Sequence, residues 1–127
     1  MDLRDYFEKT KGLGVLATAD ANGHVDAAIY ARPHVMEDDT LAFIMADRQT
    51  HDNIKSNPHA AYLFMENNGK YSGKRVFLTK VREEKNSDLI EKLRRKKYPD
   101  LKNKDEYLVY FQVDNVVPLV GPGEQKS

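Results

Sequence analysis

The sequence predicts a mainly β fold with a few short helices, in which six antiparallel strands close into a small barrel. Three observations lead there. Short runs rich in β-formers recur along the chain, as in "GVLATA", "TLAFIM", "AAYLFME" and "EYLVYFQV", mostly joined by short polar connections. The Asn22-Gly23 pair between the first two runs favours the positive φ angles of a tight hairpin. The 127 residues make a single domain, 1–127, long enough for one core. A barrel is the arrangement that leaves such strands no exposed edge.

Asp2 to Lys11 carries Leu3, Tyr6, Phe7 and Thr10 at helical spacing, with Asp2 as cap, and reads as a short amphipathic helix. Gly14–Ala19 and His24–Met36 are the first two strands, antiparallel across "DANG", and "EDD" leads to a third, Thr40–Met45. In "ADRQTHDNIKSNP", Ala46 to Pro58, a short helix starts near Gln49 or Thr50 and stops near Asn57, because Pro58 cannot continue it. Ala60–Glu66 and Arg75–Glu83 follow as strands, the second alternating imperfectly through Val76, Leu78 and Val81. "NSDLIEKLRRKKYP" reads as a helix capped by Ser87, with Leu89, Ile90 and Leu93 on one face and an end at Tyr98-Pro99. Glu106–Val113 is the last strand, continued by "NVVPLVG" past a bend at Pro118, and the tail 121–127 reads as frayed.

Composition excludes several function classes. Lys plus Arg and Asp plus Glu both number 20, so no global charge favours nucleic acid or an anionic membrane, and any anion site must be local. The absence of cysteine removes disulfides, thiolate metal sites and cysteine nucleophiles, and fits a reducing cytoplasm. The charged start lacks a signal-peptide core, and no run reaches the roughly 18 to 20 apolar residues of a membrane span, so a soluble cytoplasmic protein is expected. "GLGVLA" has dinucleotide-loop spacing but a helix before it and a strand after it, the reverse of the required order, so Gly12 and Gly14 read as a helix stop. His24, His34, His51 and His59 are scattered without metal-ligand spacing, no Gly-x-Ser-x-Gly motif occurs, and "KLRRKK" (Lys92–Lys97) reads as a solvated helix end.

The stretch after the third strand is where chemistry concentrates. A helix starting at Gln49 or Thr50 aims free backbone N–H groups at the strand end, where an anion is favoured by hydrogen bonding and by the helix dipole. Arg48 adds a charge there and Thr50 a hydroxyl. On the second strand Ala28, Tyr30 and Arg32 share one face by the period-two rule, and Arg75 opens the fifth strand just after Gly73.

With these elements in place, the chain resembles the pyridoxamine 5′-phosphate oxidase-like, FMN-binding split-barrel family. The resemblance runs through the leading helix, "GVLATADANGHVDAAIYA", "TLAFIMADRQTHDNIKSNPHAAYLFM", "GKRVFLTKVRE" and "VVPLVG". It implies a six-stranded, Greek-key-like split barrel and a homodimer with FMN in clefts at the subunit interface. It places the phosphate at Arg48, Gln49 and Thr50 with Asn53 nearby, and the flavin ring near Ala28, Ile29, Tyr30, Met45 and Ala46. Arg32 or Arg75 would serve the phosphate or the pyrimidine edge. Many members carry a Lys or an Arg-Lys pair where this chain has Gln49-Thr50, and some bind a deazaflavin or haem, or have no assigned ligand. The activity implied is that of a flavin-binding redox protein or FMN-dependent oxidoreductase. The alternative is a non-catalytic dimeric binding or sensory module. A nucleic-acid or membrane partner is expected in neither case.

Overall fold

A computed structural model describes residues 2–94 and 105–121. The predicted end of the third helix, with the second half of "KLRRKK" and Tyr98-Pro99, lies outside the described residues, as does the tail from 122 onward. Helix α1 (Leu3–Lys9) is capped by the Asp2 side chain, which accepts from the Asp5 N–H. Seven strands follow: β1 (Gly12–Ala19), β2 (Val25–Ile29), β3 (His34–Val35), β4 (Leu41–Ala46), β5 (His59–Glu66), β6 (Gly73–Lys85) and β7 (Glu106–Pro118). Helix α2 (Gln49–Ser56) joins β4 to β5, and α3 (Asp88–Leu93) follows β6. No helix among the described residues is long and apolar enough to cross a membrane.

The strand order β2-β1-β5-β6-β7-β4-β3 is antiparallel throughout, and its two ends come from one segment of chain. Residues 25–29 pair with β1 and residues 34–35 pair with β4, so the sheet closes through a single crossing segment. The predicted continuous strand His24–Met36 is therefore two strands with a break at 30–33. Pro33 has no N–H to give to a ladder. The break is stitched locally: the Tyr30 N–H donates to the Gly14 carbonyl, and the Tyr30 carbonyl accepts from the Tyr62 hydroxyl at 3.0 Å. The six predicted strands thus become seven among the described residues.

Gly12 and Gly14 are in β1 and do not stop the preceding helix, which ends where the Thr10 N–H closes on the Tyr6 carbonyl. Gly23 holds φ +86 in the hairpin, whereas Asn22 before it does not take the positive φ that the Asn-Gly pair favours. The imperfect alternation of β6 has a cause: the β6–β7 register slips between Lys80 and Arg82, leaving Val81 unpaired and 46% exposed.

The main core fills the barrel and is dominated by rings. Phe43 and Tyr62 lie 5.0 Å apart edge to face, with Phe7, Phe64 and Phe111 around them. A second, smaller cluster sits outside, where Ile90 of α3 covers Ala42, Leu108 and Tyr110 on the outer faces of β4 and β7. Among the described residues, no such cluster covers the outer faces of β2, β1, β5 and β6. Register places Ile29, Val15, Leu63 and Arg75 in one row across them, and Ala27, Ala17, Ala61 and Phe77 in the next. Val25 is 83% exposed, Ile29 66% and Leu63 41%.

Several carboxylates are held below their ordinary range. The Thr40 hydroxyl and N–H do this for Asp38, with Arg82 adding to it, and the Thr79 hydroxyl and the Gln112 amide do it for Asp114. For Glu83, burial pushes the carboxyl up, but hydrogen bonds from Lys80 and His51 outweigh it. In each case the unfolded chain binds protons at a higher pH than the folded one. The stability these groups contribute is complete above the unfolded value, near pH 4 to 4.5, and is lost as pH falls through the folded values. Thermal melts should therefore show a level midpoint from pH 7 to about 5 and a steep fall below about pH 4.

Candidate ligand site at the start of helix α2

Helix α2 forms where the sequence predicts it, from Gln49 to Ser56, and closes at Asn57 just before Pro58. It packs on β1, β2 and β4. Its first intrahelical bond runs from the Asp52 N–H to the Arg48 carbonyl, so the N–H groups of Gln49, Thr50 and His51 precede the ladder. Arg48 occupies the N-cap position without a side-chain cap bond, whereas α1 and α3 are capped by Asp2 and Ser87. A free helix start of this kind favours an anion or a polar acceptor.

The side chains around it come from two elements. Thr50 is buried, and its hydroxyl lies 3.4 Å from Asp26 Oδ2 on β2. Tyr30, four residues further along the same strand face, carries its hydroxyl to the same place. Burial pushes that hydroxyl above the ordinary tyrosine value, while the Thr50 hydroxyl and the Arg48 guanidinium pull it down and Asp26 pushes it up. It stays protonated at neutral pH and is a donor. The Arg48 guanidinium is in no ion pair among the described residues. Three backbone N–H groups, two hydroxyls and one guanidinium thus converge, with one carboxylate among them.

Other predicted site residues are placed differently. Gln49 donates to Asn53 Oδ1 at 2.7 Å, and the buried Asn53 donates in turn to Thr18 at 3.0 Å, so this pair ties α2 to β1. Ala28 and Ala46 are half-buried near the helix start, but Met45 is wholly inside the core and Ile29 is on the opposite, exposed face of β2. The structure does not bring Arg32 or Arg75 to the helix start. Arg32 donates to the carbonyls of Phe7 and Thr10 at the end of α1, because the break at 30–33 ends the period-two run that put it beside Tyr30. Arg75 donates to the carbonyls of Pro118 and Gly121, and the close backbone approach at Gly73 is to Phe64 on β5.

Two features went unread in the sequence. Asp26 shares the face of Ala28 and Tyr30, and the same period-two rule extended backwards finds it. His51 is wholly buried, stacked on Tyr107 at 3.8 Å between ring centres, with Nε2 3.0 Å from Glu83 and Nδ1 3.4 Å from Asp47. Asp47, His51 and Asp52 bring potential metal-ligand atoms within 4.8 Å of one another. Both ring nitrogens already face carboxylates, and Asp52 faces Lys55 at 3.6 Å, so the cluster reads as an anchor for the helix.

Solved structures share this architecture along most of its length. An FMN-binding protein from Syntrophomonas wolfei matches with a TM-score of 0.68 at 19% identity, over 94% of this chain and 84% of its own. A pyridoxamine 5′-phosphate oxidase-related, FMN-binding protein from Nostoc punctiforme matches with a TM-score of 0.61 at 15% identity, over 84% of this chain and 72% of its own. The fold is the pyridoxamine 5′-phosphate oxidase-like split barrel. An F420 reductase has it as well, with a TM-score of 0.66 at 17% identity over 91% of this chain and 97% of its own. No protein-family model matches the sequence, and no curated protein matches it. The free start of α2 adjoins β2, the strand on one side of the break at 30–33.

Proposed function

We propose that this split barrel is a homodimeric flavin-binding redox protein, an oxidoreductase whose chemistry resides in the cofactor. The observation that carries the reading is the uncapped start of α2 with its converging donors in this fold. The α2 N–H groups, Thr50, Tyr30 and Arg48 suit the polar tail of a flavin, with FMN the first candidate. A bound flavin would supply reversible one- or two-electron transfer through its ring. Tyr30 and Thr50 would orient the tail as donors, and Arg48 would offset negative charge.

The apolar face supports the dimer. Ile29, Val15, Leu63 and Phe77 are spread over four adjacent strands without a covering helix among the described residues, a larger patch than single exposed apolar residues make. A second copy seated there would cover the outer face of β2, the strand whose other face carries Asp26 beside the proposed site. A second reading, a binding or sensory module with weak, different or no cofactor, draws on Gln49, which is spent on Asn53 and brings no charge to the helix start.

One experiment tests both parts. The purified protein should gain a protein-bound flavin absorbance spectrum on titration with FMN or riboflavin and should run as a dimer in light scattering. Leu63→Asp should give a folded monomer that binds flavin at least about tenfold more weakly, because Leu63 is exposed on the face. A dimer that takes up neither flavin selects the second reading, and a wild-type monomer overturns the dimer.

A further inference from the structure

The geometry points to Asp26 as the residue that sets charge selectivity at the start of α2, making the site accept a flavin with a hydroxyl-ended tail as readily as one ending in phosphate. This inference rests on the flavin reading above and concerns which tail the site takes.

Asp26 is half-buried on β2, opposite Thr18 in the ladder, and its Oδ2 faces the Thr50 hydroxyl at 3.4 Å. It is in no ion pair among the described residues. Its neighbours make the local balance negative. Asp47 precedes Arg48 and faces His51, while Asp52 in the first turn faces Lys55. The carboxylates of Asp26, Asp47 and Asp52 outnumber the side-chain cations of Arg48 and Lys55. Gln49, in the first turn of α2, adds no positive charge.

A phosphate monoester carries close to two negative charges at neutral pH, and it would meet Asp26 across the same donors that attract it. The Thr50 hydroxyl would have to leave the carboxylate to serve the phosphate. A terminal hydroxyl brings no charge, can donate to Asp26 and can accept from the helix N–H groups or from Tyr30. The free helix start therefore suits a polyol tail, and Asp26 removes most of the advantage a phosphate would have.

The test titrates the flavin-free protein with FMN and with riboflavin, following flavin fluorescence, in wild type and in Asp26→Asn. The Asn side chain has the same shape and still accepts from Thr50, so folding is preserved. The two flavins should bind wild type within about threefold of each other, and Asp26→Asn should strengthen FMN about tenfold while riboflavin, whose terminal hydroxyl loses a charged acceptor, gains nothing. A wild-type preference for FMN of about tenfold or more overturns the inference and leaves the flavin reading standing. So does an FMN affinity that Asp26→Asn leaves unchanged. Failure of both flavins to bind either protein overturns the flavin reading and this inference with it.

Discussion

Gly14→Ala should cost about 3 kcal/mol of stability, lowering the melting temperature by roughly 10 °C, because it overfills a place where two backbones and a ring already meet. A Cβ built on Gly14 would overlap the Tyr62 hydroxyl and come within 2.7 Å of the Tyr30 carbonyl oxygen. Neither neighbour can give way cheaply. Tyr62 is wholly buried and held edge-on by Phe43 at 5.0 Å and by Phe7 at 6.1 Å. The Tyr30 carbonyl is fixed by the bond from Tyr62, and the Tyr30 N–H by the bond to Gly14 itself. Displacing either disturbs the break through which the chain leaves β1 for β4, and with it the position of the Tyr30 side chain. Tyr62→Phe removes the hydroxyl, so in that background the cost of Gly14→Ala should shrink, though not vanish, since the Tyr30 oxygen remains. Chemical denaturation of the four proteins measures the coupling. A Gly14→Ala protein within about 0.5 kcal/mol of wild type would show that the close approach is not there.

Gly14 also marks the limit of what could be read from the sequence. The strands were legible because alternation and turn residues are local signals: Asn22-Gly23 and Pro58 act where they stand. What Gly14 does depends on Tyr30 and Tyr62, sixteen and forty-eight residues away, and nothing beside it announces them. The break at 30–33 had a local sign in Pro33, but not the fact that residues on its two sides pair with opposite ends of the sheet order.

The candidate site divides along the same line. The helix start at Arg48 to Thr50 was legible because it is set by its own residues and by the strand before it. Met45 could not be assigned a face, because β4 is covered outside by α3 as well as inside by the core. Its run "LAFIM" is apolar on both sides and carries no alternation to read. Arg32 was misplaced by a sound rule applied across a break. Its actual role, holding the last carbonyls of α1, belongs to a helix packed on it from twenty-odd residues earlier.

His51→Ala should also cost about 3 kcal/mol, and here the consequence reaches the ligand site. Eight residues of helix are too few to be stable alone, so α2 is held by what it buries. Four side chains do this: Ile54 in the core, Asn53 on Thr18, Thr50 beside Asp26, and His51 between Tyr107 and Glu83. Truncating His51 leaves a hole beside the Tyr107 ring, whose plane is within 18° of the imidazole, and deprives the Glu83 carboxylate of one donor while Lys80 keeps the other at 2.8 Å. His51→Phe separates the two contributions, since it keeps a ring on Tyr107 and gives up the hydrogen bonds, and it should recover about half of the loss. Because His51 is only two residues past the start of the helix, the loss falls on the turn that presents the free N–H groups. Hydrogen exchange of the α2 amides should quicken in His51→Ala more than exchange of the β5 and β6 amides, and flavin affinity should weaken with it. A stability loss under about 1 kcal/mol, or exchange that quickens equally everywhere, would show that the imidazole is not what holds the helix start in place.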